Sequence, residues 1–124
     1  MKFMCLAYLD RGLTPGPDAA AQYPLLGRAM GEAGVFVDMG QLAAPSDSKT
    51  VRVADGTANA VDGPPSSVGD DTSSPIAYFL IDCTSLDDAL AWAAHIPAAT
   101  YGSIEVRPAL GGGQGRGGAS RLST

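Results

Sequence analysis

Phe3-Met4-Cys5-Leu6-Ala7-Tyr8-Leu9 decides the fold. At the two-residue period of a strand it is apolar on both sides, with Phe3, Cys5, Ala7 and Leu9 pointing one way and Met4, Leu6 and Tyr8 the other. Such a strand belongs in the middle of a sheet with both faces covered. Ile76 to Cys83 repeats the pattern, and only Asp82 interrupts it.

The rest of the chain arranges itself around these two strands. Asp18 is placed to cap a helix running to about Ala33, with Gly34 as its stop and Tyr23, Leu26, Met30 and Ala33 on one stripe. Pro24 would cost about 3 kcal/mol in a helix interior, so a kink or a helix start is expected there. Val35 to Leu42 reads as a strand. Thr50–Val53 and Thr57–Val61 flank Ala54-Asp55-Gly56, the signature of a hairpin. The Ser-, Asp- and Pro-rich stretch from Pro64 to Pro75 reads as a loop. Ser85-Leu86-Asp87-Asp88 opens a second helix like a capping box, with Leu86, Ala89, Leu90 and Ala93 facing inward and Pro97 closing it. Ser103 to Arg107 is the last strand, and the glycine-rich residues 111–124 read as a flexible tail beyond a single domain of residues 1–110.

With the hairpin set aside, the order is βαββαβ, an α+β, ferredoxin-like plan. Two helices cover one face of such a sheet, yet both faces of its central strands are apolar. A homodimer that stacks two sheets into a dimeric α/β barrel is therefore expected.

Composition narrows the partners. The chain has 124 residues, a net charge of −5 and only eight scattered Lys and Arg, which argues against phosphate-rich nucleic acid and against an anionic membrane surface. No run approaches the ~20 apolar residues of a membrane span. The apolar run after Lys2 is too short for a signal sequence, and Asp10-Arg11 break it, so a cytoplasmic location is expected. Cys5, Cys83 and His95 lie far apart in the chain, so no metal site and no cofactor are expected, and the two cysteines read as buried thiols.

Val61-Asp62-Gly63-Pro64, the Gly40-Gln41-Leu42 stretch and Tyr101-Gly102-Ser103-Ile104-Glu105-Val106-Arg107-Pro108 recur in an order and at separations that resemble the YCII-related family, in its DGPF-domain branch. The resemblance covers about residues 1–110. It implies the ferredoxin-like dimer, and relatives in the wider superfamily include small acid/base enzymes such as dehydrochlorinases and lactone isomerases. The chain departs from that pattern in two places. Pro65 stands where DGPF proteins carry Phe, and the Thr-Lys-Glu stretch that follows is replaced. The His-Asp dyad of other YCII-like proteins is also missing, because the first helix has no histidine and Ile96 precedes Pro97.

Five residues stand out as candidates. Asp62, at a strand end, is either a general base or the acceptor of an Asx-turn. Asp38 lies within an apolar strand, where Asp is depleted. It is either a pocket acid, or it faces solvent or pairs with a basic side chain such as Arg52 or Arg107. Tyr8 is the third catalytic candidate, although like Tyr78 and Tyr101 it also reads as a core or interface aromatic. Arg107 either pairs with Glu105 or grips a substrate carboxylate. His95 ends the second helix, where the dipole favours a cation, on an outer face shared with Asp88 and Trp92. Gly113-Gln114-Gly115-Arg116-Gly117-Gly118 spells a dinucleotide pattern, but too few residues follow for the helix that would receive a pyrophosphate.

Two functions are compatible with these residues. One is a cofactor-independent lyase, isomerase or cyclase acting on a small, mostly apolar molecule. The other is a non-catalytic small-molecule-binding or accessory protein of the same family.

Overall fold

The computed structural model describes residues 1–10, 15–65 and 74–111. The glycine-rich stretch from residue 112 onward, with its dinucleotide-like pattern, and residues 66–73 of the long loop lie outside the described residues. The architecture is α+β. Strands β1 (Lys2–Leu9), β2 (Phe36–Gln41), β5 (Pro75–Asp82) and β6 (Gly102–Pro108) form one antiparallel sheet in the order β2-β5-β1-β6. Strands β3 (Lys49–Ala54) and β4 (Thr57–Asp62) form a separate two-stranded ribbon. Helix α1 (Ala19–Glu32) links β1 to β2, and helix α2 (Leu86–Ala93) links β5 to β6. Each of these connections passes over one intervening strand. As their composition indicates, β1 and β5 are the two inner strands.

Both helices lie on the same face of the sheet. Phe3, Cys5 and Ala7 of β1 and Ala77, Phe79 and Ile81 of β5 are buried there against Tyr23 and Met30 of α1, Ala89 and Ala93 of α2, and Ile96 and Ala98 of the segment after α2. Tyr23 stacks on Phe79 with ring centroids 6.0 Å apart. Gly27 lets α1 approach closely, since a Cβ there would lie 3.1 Å from Met39 Sδ and 3.3 Å from the Phe36 ring. Cys5 and Cys83 are free and buried, and burial, followed by the proximity of Cys83, pushes the Cys5 thiol up to about 11.

The helix ends differ in part from expectation. Asp18 precedes α1, but its side chain makes no capping bond; Ala19 N–H donates to the Gly16 carbonyl at 3.1 Å instead. At the other end Gly34 adopts φ +80°, and the N–H groups of Val35 and Gly34 donate to the Met30 and Gly31 carbonyls. This is a Schellman motif, and it accounts for the glycine stop. On α2, Ser85 Oγ accepts from Asp88 N–H at 3.1 Å, while the Asp88 carboxylate accepts from Thr84 Oγ1 rather than closing a capping box. Ala89 and Ala93 are buried, but Leu86 and Leu90 are about half exposed, so the inward stripe is narrower than its periodicity suggests. Ala33 is likewise exposed.

Pro24 does not start α1; it lies inside the helix, which continues past it to Glu32. Proline has no N–H, which leaves the carbonyl of Ala20 without its ladder partner. Gln41, on the neighbouring β2, supplies the missing donor: its Nε2 donates to Ala20 O at 3.2 Å. The site is exposed, so water replaces much of the bond when it is lost, and Gln41→Ala is expected to cost only about 0.5 kcal/mol. Restoring the ladder with Pro24→Ala should make Gln41 dispensable. Thermal melts of the two single variants and the double variant measure this coupling, and additive losses would show that the contact has no effect.

The ribbon is formed as expected. Asp55 and Gly56 take φ values of 53° and 79°, the left-handed pair of a tight hairpin turn. Every residue of β3 and β4 except Thr50 is exposed. Its base is fastened by Gly63 N–H donating to Ser48 O at 2.8 Å and Thr50 Oγ1 donating to Gly63 O at 2.7 Å. Among the described residues, no helix is long and apolar enough to cross a membrane.

Candidate functional site

The face of the four-stranded sheet turned away from the helices holds the densest set of chemically capable side chains. Strand pairing arranges it in rows. One row crosses the sheet as Asp38, Leu80, Met4 and Arg107, and the next as Gly40, Tyr78, Leu6 and Glu105. Leu80, Met4, Leu6 and Tyr78 are half-buried by their neighbours alone, and neither helix reaches them. In these two rows the charged residues sit at the two edges, on β2 and β6; Lys2 and Asp82, paired across the inner strands β1 and β5, lie on the same face one row beyond Met4 and Leu80. At ~4.8 Å per strand these edges are roughly 14 Å apart.

On the β6 side, Tyr8 Oη donates to Glu105 Oε1 at 3.1 Å. Arg107 donates to Glu105 Oε2 from Nε at 3.2 Å and from Nη2 at 2.5 Å. The guanidinium, then the phenol, hold the Glu105 carboxyl below its ordinary 4.5. A carboxyl whose pKa is lower folded than unfolded stabilises the fold above the unfolded value and loses that contribution as pH falls through the folded one. Burial first, and the bond to Glu105 second, push the Tyr8 phenol up. Tyr8 therefore stays protonated through the neutral range, while Glu105 stays charged. Two of the five N–H donors of Arg107 are committed to Glu105, and three remain for another acceptor.

On the β2 side, Tyr78 Oη donates to Asp38 Oδ2 at 3.2 Å, and this bond is the main reason the Tyr78 phenol is pushed up. Gly40 makes the contact possible. Tyr78 lies across the space where a side chain at Gly40 would be, and a Cβ there would come within 2.6 Å of the ring. The register of β2 on β5 shifts between Phe36 and Asp38, and this irregularity sets Asp38 beside Leu80, on the open face. Asp38 thus pairs with neither Arg52 nor Arg107 of its own chain, the partners considered from the sequence.

Asp62 and His95 lie elsewhere. Asp62 ends the ribbon, its side chain is 86% exposed, and its carboxylate is paired with Lys49 directly across the ladder. It forms a cross-strand ion pair, with no Asx-turn bond to the backbone. His95 is exposed at the end of α2 and stands edge-on to Trp92, with ring centroids 6.2 Å apart. Trp92 is not on an outer face but packs partly buried against the core. His95 borders a cleft of about 510 Å³ between the start of α1 and the segment from Ala94 to Tyr101, with Asp18 and Gln22 on the opposite wall. An adjoining cavity of about 300 Å³ is lined by Tyr23, Gln41 and Tyr101. The Tyr23 hydroxyl is buried with no well-formed hydrogen bond, although Tyr101 and the Ala98 backbone lie beside it, and burial, then Tyr101, push its pKa up.

Of the five residues singled out from the sequence, the fold therefore brings Tyr8, Asp38 and Arg107 onto one surface and sets Asp62 and His95 apart from it. Tyr78 and Glu105 join the site as phenol donor and carboxylate acceptor, although sequence reading assigned them to packing and to a structural ion pair. Residue parity was the available signal: Tyr78 alternates with buried Ala77 and Phe79, and Glu105 with Ile104 and Val106. Among the described residues, no group of three or more His, Cys, Asp or Glu is placed to hold a metal ion. Compared with known proteins, the chain matches no family model and no curated protein.

Proposed function

We propose that this protein is a small acid/base enzyme of lyase, isomerase or cyclase type, which moves a proton on a small, mostly apolar molecule without a cofactor. The observation that carries this reading is a pair of phenol–carboxylate hydrogen bonds, Tyr78–Asp38 and Tyr8–Glu105, on either side of the apolar strip Leu80, Met4 and Leu6. An apolar floor with a few convergent polar groups is the usual make-up of a small-molecule site. Asp38 is the better base of the two carboxylates, because Glu105 is already held by Arg107 and Tyr8. Tyr78 occupies Asp38 Oδ2, so Oδ1 is the oxygen that takes the proton, and a phenol kept neutral is the donor that returns one.

The strand order β2-β5-β1-β6, with one helix in each of the two crossing connections, supports the ferredoxin-like plan with an inserted hairpin, as the resemblance to YCII-related, DGPF-type proteins implies. Its half-buried apolar strip supports a homodimer in which two such faces stack and exclude water from the site.

Proton exchange tests this reading directly. A panel of small carbonyl compounds incubated with the protein in heavy water is followed by NMR for replacement of acidic C–H by C–D. Asp38→Asn is expected to slow exchange by about 100-fold or more while leaving binding intact. Full exchange by Asp38→Asn would remove that carboxylate from the chemistry.

A second reading, a non-catalytic binding protein, draws on a different observation. The cleft of about 510 Å³ beside His95 contains no hydrogen-bonded acid/base pair among the described residues. Ligands that bind without exchange, and whose binding is lost on substitution of His95 but not of Asp38, would favour it.

A further inference from the structure

On the helix side of the sheet, away from the open face, two hollows meet. Gly16, Pro17, Ala19 and Tyr101 line both of them. The inner one, about 300 Å³, is walled mainly by apolar groups such as Leu9, Leu42, Ile76 and the Tyr23 ring. The outer one, about 510 Å³, carries the polar side chains of Asp18, Gln22, His95 and Thr100. Their junction is also where α1 begins. The N–H groups of a helix point toward its N-terminal end, and those of the first turn have no partner inside the helix. Ala19 N–H is taken by the Gly16 carbonyl, whereas the Asp18 side chain caps nothing and the first turn holds no acidic residue. Among the described residues, the N–H groups of Ala20 and Ala21 therefore have no acceptor. A further donor lies at the same junction. Tyr23 is only 3% exposed, and its hydroxyl sits beside Tyr101 without a well-formed hydrogen bond.

We infer that this junction binds the carboxylate of a small organic acid, whose apolar ring or chain fills the inner hollow. The inference rests on the cleft named in the second reading above and does not depend on proton transfer at Asp38. The helix dipole and the unpaired N–H groups of Ala20 and Ala21 favour an anion. The Tyr23 hydroxyl gains an acceptor that the protein itself does not provide, which offsets part of the cost of burying it. His95, braced edge-on by Trp92, supplies an N–H donor from the outer hollow. Among the described residues no Lys or Arg lines either hollow, so a singly charged carboxylate suits the site better than a phosphate. Asp18 opposes the ligand's charge, but it is exposed, and water screens it.

Proton–nitrogen NMR titration of the full chain with phenylacetate and with hexanoate tests this, with phenylethylamine as a cation of matching body. Both acids are expected to bind at about millimolar concentration or tighter. The largest shifts should fall on the amides of Ala20, Ala21 and Tyr101, with Met4 and Leu80 of the open face unmoved. Tyr23→Phe and His95→Ala are each expected to weaken the acids by about 3- to 10-fold, and Asp18→Asn to tighten them by about twofold. Tyr23→Phe keeps the stacked ring and His95 is exposed, so both variants should fold; the wild-type titration stands without them. Asp38→Asn, the variant expected to slow proton exchange, should bind the acids like the wild type, so the two sites fail separately. Shifts confined to the open face, an amine that binds more tightly than the acids, or binding that neither Tyr23→Phe nor His95→Ala weakens would overturn the inference. So would the absence of any shift at tens of millimolar acid.

Discussion

Gly102→Ala is expected to destabilise the protein by about 3 kcal/mol or more, because the added methyl has nowhere to go. A Cβ at that position would lie 1.8 Å from the Tyr8 carbonyl oxygen and 2.9 Å from the Tyr8 carbonyl carbon, and both atoms belong to the backbone of β1. A clash with the tip of a long side chain can be relieved by a change of rotamer. Here the two strands must part, and β6 carries Ile104 and Val106 against the core and Glu105 and Arg107 on the open face. A loss of that size should lower the melting temperature by roughly 12 °C in a chain of this length. Gly31→Ala is the control. Position 31 lies within α1 with nothing within 4 Å of a Cβ, so alanine there should raise stability by about 0.5–1 kcal/mol through helix propensity and unfolded-chain entropy. A Gly102→Ala protein that melts with the wild type would refute the close pairing of Leu9 with Gly102.

Phe79→Ala is expected to cost about 3–5 kcal/mol, a large share of the total stability of about 5–15 kcal/mol typical of a domain. Phe79 is fully buried at the middle of β5, beneath the Tyr23 ring of α1, and is among the largest fully buried side chains. Truncation removes both its own burial and the surface on which Tyr23 rests. Urea unfolding should show an earlier midpoint with little change in slope. The neighbouring substitution Tyr23→Phe should be close to neutral or slightly stabilising, because it keeps the stacked ring and removes a buried hydroxyl that lies beside Tyr101 and the Ala98 backbone without forming a good hydrogen bond. If Tyr23→Phe instead destabilised strongly, that hydroxyl would be engaged in a bond of consequence. If Phe79→Ala were tolerated, the core would not be centred on β5.

How far the amino-acid order carried the reading depends on the range of the interactions involved. The two inner strands were legible because a strand buried on both faces has no polar alternation, and Phe3–Leu9 and Ile76–Cys83 have almost none. The turn at Asp55-Gly56 was legible because only certain residues take a left-handed backbone. Pro24 was read as a kink or a helix start, and that it lies inside α1 rather than at its start was not legible, because its compensation comes from Gln41, on a different element, and nothing local announces it. Leu86 and Leu90 were placed inward by period alone, whereas the small Ala89 and Ala93 are what let α2 settle against the sheet. The candidate site was legible residue by residue but not as a constellation. Asp38 and Tyr78 meet because an irregularity between Phe36 and Asp38 sets the register of β2 on β5, and Gly40 leaves room for a ring. Both conditions are tertiary. Asp62 attracted attention as a carboxylate at a strand end, and its actual neighbour, Lys49, depends on the hairpin register.

The ribbon of β3 and β4 has a practical corollary. It is tied down at its root, and its far tip, Asp55-Gly56, stands clear of the layered body. Foreign peptide spliced in at that tip would lengthen an appendage and leave the sheet and its helices in place. An epitope or a small fluorescent reporter carried there would tag the protein while keeping both chain ends as they are, a convenience for following it inside living cells.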